Sequence, residues 1–161
     1  QTPMVIDADG LNLLAKDVNL LKRPHMDLVL TPHLMEMSRL LSQPIAYIKD
    51  HPLLVAEEFS RENDVIITLK DAVTVTTIPY MQSYLNRSGN HGMATAGSGD
   101  VLSGIITGLI ATGAKASDAA FLGVYLHGKC GDNARKRMGS ASVMARHILD
   151  EIPVILQSYD Q

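Results

Sequence analysis

The sequence has no tryptophan, two phenylalanines and one cysteine, Cys130. With 4% aromatic residues the core must be built from aliphatic side chains. A lone cysteine rules out an intrachain disulfide framework and a cysteine-rich zinc site, and it fits a reducing, cytoplasmic setting. An excess of one charge is also missing: 14 Lys and Arg against 17 Asp and Glu leave a formal net charge of −3. This is no basic nucleic-acid binder, so a phosphate ligand needs a local site and not a global field. The longest apolar stretches contain glycine and polar residues and fall short of a membrane span. Gln1-Thr2-Pro3 leads straight into an apolar strand pattern, so no secretory leader is expected. Neither nucleic acid nor membrane is expected as a partner. The first residue is not methionine, which points to a cut or processed chain.

What is present suits one globular domain spanning 1–161, with 46% hydrophobic and 19% charged residues. Compact apolar runs at 3–9 (PMVIDAD), 27–31 (DLVLT) and 64–70 (DVIITLK) predict strands. The segments 72–78 and 80–86 predict an antiparallel or edge portion of the same sheet. Gly10 is expected to open a turn into a short helix, LNLLAKDVNLL. EMSRLL (36–41) has helical character, and Pro44 and Pro52 start further helices. The C-terminal half predicts a helix from the glycine loop to about Thr112, then a long helix over roughly 116–137 with small residues on one face. Gly139-Ser140 breaks it, and a last amphipathic helix covers 140–156. Strands separated by helices imply an α/β fold with a mostly parallel sheet and helices on its faces. Ligands of such sheets lie beyond the carboxyl ends of the strands. Asp7/Asp9, His33/Glu36 and Lys70 all fall there.

Four motifs carry candidate chemistry. GSGD (97–100) precedes an apolar helix whose Val101, Leu102, Ile105, Ile106, Leu109 and Ile110 recur at helical spacing. Gly97 and Gly99 are poor helix formers, so both are expected ahead of the helix, with Asp100 in its first turn. A helix N-terminus presents unpaired N–H groups and a positive dipole end, which together bind anions. The run from Asn90 to Gly97 has almost no long side chains, so a ligand can approach the backbone. The plainer alternative is an ordinary helix start with Asp100 complementing the dipole. The pattern is neither a Walker loop nor a dinucleotide G-x-G-x-x-G. In TPHLMEMSRL (31–40), His33 and Glu36 stand three apart and share a face if the helix has begun; spacing alone favours a helix cap. DADGLN (7–12) ends a strand in two carboxylates, which form either a cap and turn or the wall or metal shell of a site. Lys70 is either a phosphate-binding point charge or part of a hairpin turn with Asp71, and alone it reads as the turn. His127, on the small face of the long helix, reads as packed, and Cys130 as a core residue.

Taken in order, DADGLN, TPHxxEMSRL, K-x-x-x-T and NxGMATAGSGDVLSG resemble the ADP- or ATP-dependent NAD(P)H-hydrate dehydratase family, and LGVYLHGKCGD (122–132) is similar to that family's next helix. The resemblance runs from about Met4 to about Leu156. It implies a ribokinase-like, three-layer α/β/α fold in which this chain is the C-terminal portion of the domain. An N-terminal portion, with early strands and some substrate contacts, would precede it. A sheet edge exposed in this way invites pairing, so a homo-oligomer is expected.

The implied activity is repair of hydrated NADH or NADPH (NADHX, NADPHX): phosphorylation of the extra hydroxyl by ADP or ATP, then elimination of phosphate. The resemblance assigns Asp100 as catalytic base and substrate contact, and His33 as a substrate contact. It assigns Lys70, Asp71, Ala72, Val73 and Thr74, with Gly97, Ser98 and Gly99, to the nucleotide. Glu36 would hold Mg2+ through water. Three departures stand out: Leu34-Met35 replaces the family's usual Pro-Gly, Asp71 replaces a glycine after the lysine, and GSGD replaces GTGD. A small-molecule kinase of the same fold, of hydroxyethylthiazole or pyridoxal type, is the alternative, and an inactive nucleotide-binding fragment is a third. The GMATAG form tilts the phosphoryl donor toward ADP.

Overall fold

The computed structural model describes residues 2–159. Five strands form one sheet in the order β1 (Met4–Ile6), β2 (Leu28–Leu30), β3 (Ile66–Leu69), β4 (Thr74–Thr77), β5 (Tyr84–Asn86). The first three run parallel; β4 and β5 are added antiparallel. β2 and β3 are buried on both faces, which is why they read as continuous aliphatic runs and not as alternating ones. Their registered pairs set the two layers. Val29 opposite Ile66 faces one side, and Leu30 opposite Ile67 faces the other.

On the Leu30 side lie α1 (Asp9–Leu14), α2 (Leu34–Leu41), α3 (Ile45–Asp50) and α4 (Pro52–Asn63). They bury Leu11, Met37, Leu40, Ile48, Val55 and Phe59 against the sheet. On the Val29 side lie α5 (Ser98–Ala111) and α6 (Ala116–Met138), packed through Leu102, Ile106, Ala119, Ala120 and Val124. α7 (Ala145–Asp150) and α8 (Ile152–Gln157) cover the outer face of that layer through Ile148 and Ile155. Each fully buried aliphatic side chain contributes about 1.5–3 kcal/mol, so aliphatic burial carries the core, with Phe59 the one aromatic added to the expected aliphatic set among the described buried residues. The small face of α6 has a packing reason: a Cβ on Gly123 would lie 2.7 Å from Ile106 Cγ1, so α5 and α6 approach closely. Among the described residues, no helix is long and apolar enough to cross a membrane.

Three local expectations change. Gly10 sits inside α1, and the turn is taken by Ala8 at φ 48. What requires glycine at position 10 is proximity, since a Cβ there would come 2.8 Å from Ile6 Cγ2. The helix expected after it stops at Leu14, followed by a 3-10 turn over Val18–Lys22. The last helix is not one element. It is a 3-10 turn (Ser140–Ser142), α7 and α8, divided at Glu151. Pro153, in the first turn of α8, has no N–H to donate back into α7. Glu151 at the division is 2% exposed and ion-paired with Arg137.

Candidate functional site

Three strand ends and one helix start converge. Lys70, just past β3, donates its backbone N–H to the Pro32 carbonyl at 2.7 Å and forms a parallel bridge with His33. The segments after β2 and β3 are thereby laid side by side. Asp7, just past β1, closes the group: Lys70 Nζ lies 2.8 Å from Asp7 Oδ1, and Ser103 Oγ of α5 lies 2.6 Å from Asp7 Oδ2. The Ala8 N–H donates to the same carboxylate at 2.9 Å. Burial pushes the Asp7 carboxyl up, but its bonds from Lys70 and Ser103, the Lys70 charge and the Ala8 N–H outweigh this and hold it below its ordinary 3.8. Of the two carboxylates in DADGLN, Asp7 enters the site, whereas Asp9 is an exposed first residue of α1.

Gly97, at φ +83, caps α5, a conformation that L side chains rarely adopt. Gly99, expected ahead of the helix, lies in its first turn instead. A Cβ there would lie 3.4 Å from Lys70 Nζ and 3.7 Å from Asp7 Oδ2, ordinary contact distances, so this turn lies directly against the Lys70–Asp7 pair. The ammonium of Lys70 thus lies beside the first turn of α5, paired with Asp7. Asp100, in the same turn, is exposed. No hydrogen bond or ion pair of its carboxylate occurs among the described residues.

A cavity of about 800 Å³ opens at this point. His33, Lys70, Asp71, Ala72, Thr74, Ser98 and Gly99 line it, along with the loop following β5. The candidates Val73, Gly97, Glu36 and Asp100 are not in its lining. Val73 is 44% exposed in the turn before β4, and Asp100 and Gly97 flank the lining pair Ser98 and Gly99. Glu36 is buried and caps α2 together with His33. The His33 N–H donates to Glu36 Oε2 at 2.8 Å, and the Glu36 N–H donates to His33 Nδ1 at 3.1 Å. His33 Nε2 lies 3.4 Å from Glu36 Oε1. This reciprocal cap fixes the imidazole at the cavity wall.

His127 is also part of the site. It lines the cavity, and its Nε2 lies 3.3 Å from Ser98 Oγ. Burial pushes its imidazole down to about 4, with the Ser98 backbone opposing and the Lys70 charge assisting. The ring is therefore neutral at neutral pH. The sequence placed His127 correctly on the small face of α6 but could not show that this face turns toward the α5 N-terminus. The loop from Ser88 to Thr95 lines the cavity as well. Its signal was the scarcity of long side chains from Asn90 onward. Among the described residues, no three His, Cys, Asp or Glu side chains gather as a metal-binding group.

A family model described as NAD(P)H-hydrate dehydratase matches residues 1–154. The chain is 48% identical over 161 residues to the bifunctional NAD(P)H-hydrate repair enzyme Nnr of Moorella thermoacetica, covering 100% of this chain and 30% of that protein. It is 39% identical over 142 residues to the ADP-dependent (S)-NAD(P)H-hydrate dehydratase of Neisseria meningitidis serogroup B, covering 87% of this chain and 48% of the relative. Among solved structures, the ADP/ATP-dependent NAD(P)H-hydrate dehydratase of Bacillus subtilis, co-crystallised with ATP/Mg2+, superposes with a TM-score of 0.85 at 27% identity, over 98% of this chain and 55% of its own. A ribokinase-like superfamily protein of Enterococcus faecalis superposes with a TM-score of 0.80 at 28% identity, over 96% of this chain and 52% of its own. The chain thus spans about a third to about half the length of the proteins it matches. With its ribokinase-like α/β fold, its glycine-capped α5 and a family match over residues 1–154, the chain belongs to the NAD(P)H-hydrate dehydratase family.

Proposed function

We propose that this chain, 1–161, forms one domain portion carrying the phosphate-binding and proton-abstracting parts of an ADP- or ATP-dependent NAD(P)H-hydrate dehydratase, a hydro-lyase that restores hydrated NADH and NADPH. The observation that carries the proposal is the meeting of Lys70, Gly99 and the α5 N-terminus at one end of the cavity. The nucleotide occupies that cavity, against Lys70, Asp71, Ala72 and Thr74, with Val73 completing the turn. Its phosphates face the N–H groups of Gly97, Gly99 and Asp100, the Ser98 hydroxyl and the Lys70 ammonium; the Ser98 N–H itself donates to the Thr95 carbonyl at 3.2 Å. Asp7 holds the ammonium beside the first turn of α5.

Asp100 acts as the general base. It takes the proton of the substrate hydroxyl as that oxygen bonds to the terminal phosphorus and the bond to the nucleotide's leaving oxygen breaks. The N–H groups and Lys70 stabilise charge on the transferred group. Phosphate then leaves with the C–O bonding pair, and loss of a ring proton restores the dihydronicotinamide double bond. His33, held by Glu36, contacts the substrate from the strand-end side.

A magnesium ion would be held chiefly by nucleotide phosphates and water, since such an ion needs only one or two protein carboxylates. Glu36 would reach it through water, using Oε1, the less engaged of its two oxygens. When bound, the ion neutralises phosphate charge during transfer. ADP is the donor favoured here, since the Neisseria relative is named for ADP dependence. A cytoplasmic setting agrees with the buried, unpaired Cys130, and a homo-oligomer agrees with the exposed edge at Met4.

The test mixes the protein with NADH hydrate, Mg2+ and ADP or ATP, and follows absorbance at 340 nm. Recovery with one nucleotide, abolished by Asp100→Asn while nucleotide binding persists, supports the proposal and names the donor. Transfer of phosphate to a small alcohol without recovery of NADH replaces it with a kinase.

A further inference from the structure

The loop from Arg87 to Gly97 joins β5 to α5 and forms one wall of the cavity. Its only regular piece is a 3-10 turn, His91–Met93. Such a loop has no shape of its own unless neighbouring elements tie it down. Here the ties run to α6. Gly89 donates its N–H to Asp132 Oδ2 at 3.1 Å, and Asn90 Nδ2 donates to Asp132 Oδ1 at 3.0 Å. Asn90 Oδ1 in turn accepts the Gly92 N–H at 3.0 Å, capping the 3-10 turn. Ser88 Oγ lies 3.2 Å from the Tyr125 carbonyl. α6 is also shaved to receive the loop. A Cβ on Gly131 would overlap the Met93 side chain, and a Cβ on Gly128 would overlap the Ser88 backbone.

We infer that Asp132 is a positioning residue for the nucleotide cavity, acting with Asn90 as a clasp that holds the Ser88–Met93 wall against α6. This rests on the reading of the cavity as the nucleotide site. Asp132 is not in the cavity lining, whereas Ser88, Gly89, Asn90 and Met93 are. Its influence is therefore exerted through the loop. The chemistry of the clasp is specific. Two donors one residue apart each need an acceptor, and a carboxylate offers one on each oxygen. An amide in place of this carboxylate would turn its NH2 group toward one of them and leave a donor facing a donor. The HGKCGD run in α6 gains a purpose here: two glycines make room for the loop and the aspartate fastens it.

The arrangement predicts a rescue. With Asp132→Asn and Asn90→Asp together, the new amide on α6 would accept from the Gly89 N–H through its oxygen. Its NH2 group would donate to one oxygen of the new loop carboxylate, and the other oxygen of that carboxylate would accept from Gly92. Every hydrogen bond of the clasp survives with the charge moved across it.

The experiment compares wild type, Asp132→Asn, Asn90→Asp and the double variant in two readouts: ADP dissociation constant by calorimetry, and hydrogen exchange of the Gly89 and Gly92 amides. Asp132→Asn should weaken ADP binding about tenfold and speed Gly89 exchange. Asn90→Asp, which sets two carboxylates face to face, should do at least as much. The double variant should return both readouts to within about threefold of wild type. Unchanged exchange in Asp132→Asn, unchanged ADP affinity despite faster exchange, or a double variant no better than the singles overturns the inference. If a single variant fails to fold, the double variant still decides, since it must fold and bind. Wild-type protein that binds no ADP would sink the proposed function instead, while amide exchange would still judge the clasp.

Discussion

Replacing His127 with asparagine should flatten the acid side of the stability curve. In the folded protein, burial and the Lys70 charge hold the imidazole at about 4, against 6.5 for an exposed ring. Below pH 6.5 the unfolded chain takes up a proton that the folded protein refuses. Stability must therefore fall as pH falls through the window between the two values, and level off once the folded ring is also protonated. At about 1.4 kcal/mol per pH unit, the whole window is worth about 3 kcal/mol. About 2 kcal/mol of that should be lost between about pH 7.5 and about pH 5. For a chain of this size the loss corresponds to a fall of about 4–8 °C in Tm.

The assay is urea unfolding of wild type and His127→Asn at several pH values across that range. Asp7 contributes at lower pH. Its folded carboxyl lies below 3.8, so the stability it supplies is present above 3.8 and is lost as pH falls through the lower folded value. The variant should lose a constant amount from the missing Ser98 contact and show a shallower slope than wild type by about 2 kcal/mol over the range. A wild-type slope that survives intact in the variant would refute the assignment of a buried neutral imidazole.

Gly99→Ala should divide stability from binding: Tm should rise by the equivalent of up to about 1 kcal/mol, because alanine suits a helical turn better, while ADP affinity falls as the new methyl occupies space beside Lys70 Nζ. A parallel gain in affinity would exclude a phosphate seat at this turn. Lys70→Met strands a carboxylate whose side chain is 14% exposed, so thermal melts should show a cost of about 1–3 kcal/mol. The Asp7→Asn/Lys70→Met pair should recover much of that stability but not nucleotide binding, as calorimetry would report. Cys130 is fully buried, and burial followed by the Glu151 charge pushes its thiol up to about 11. It should resist a thiol reagent at neutral pH until denaturant is added; rapid labelling of the folded protein would contradict its place in the core.

The fold was legible where local chemistry and tertiary packing agreed. β2 and β3 are continuous aliphatic runs because both faces of the sheet are covered. Pro52 opens α4 at the position where its missing N–H costs nothing. Legibility failed where a residue's reason was a distant neighbour. Gly10 looked like a turn former and is a helical residue kept small by Ile6. Gly99 looked like a helix breaker and is a first-turn residue lying against the Lys70–Asp7 pair. A glycine's conformational freedom can be inferred from sequence, but its need for proximity depends on what the fold brings against it.

The site divides along the same line. GSGD was legible because a glycine cap and a helix start, the features that suit an anion, arise within one short segment. Lys70, alone, read as a hairpin turn, and turn geometry does surround it at Asp71 through Val73. Only the parallel bridge to His33 and the pair with Asp7 bring it to the end of the cavity where we propose that phosphate binds. His33 and Glu36 were read from spacing as a cap, and they do form one. That cap is itself what fixes the ring at the cavity wall, so the structural and functional readings of this pair are not rivals. His127 and Asp132 make the opposite case. Both sit on α6 among residues that serve packing, and nothing in their spacing separates them from it. Their roles follow from the path of the Arg87–Gly97 loop, which brings Ser98 to one and Gly89 to the other. A binding site assembled from strand ends and one helix start is therefore readable in its anchors, while the residues that shape its walls become visible only once the chain has closed around them.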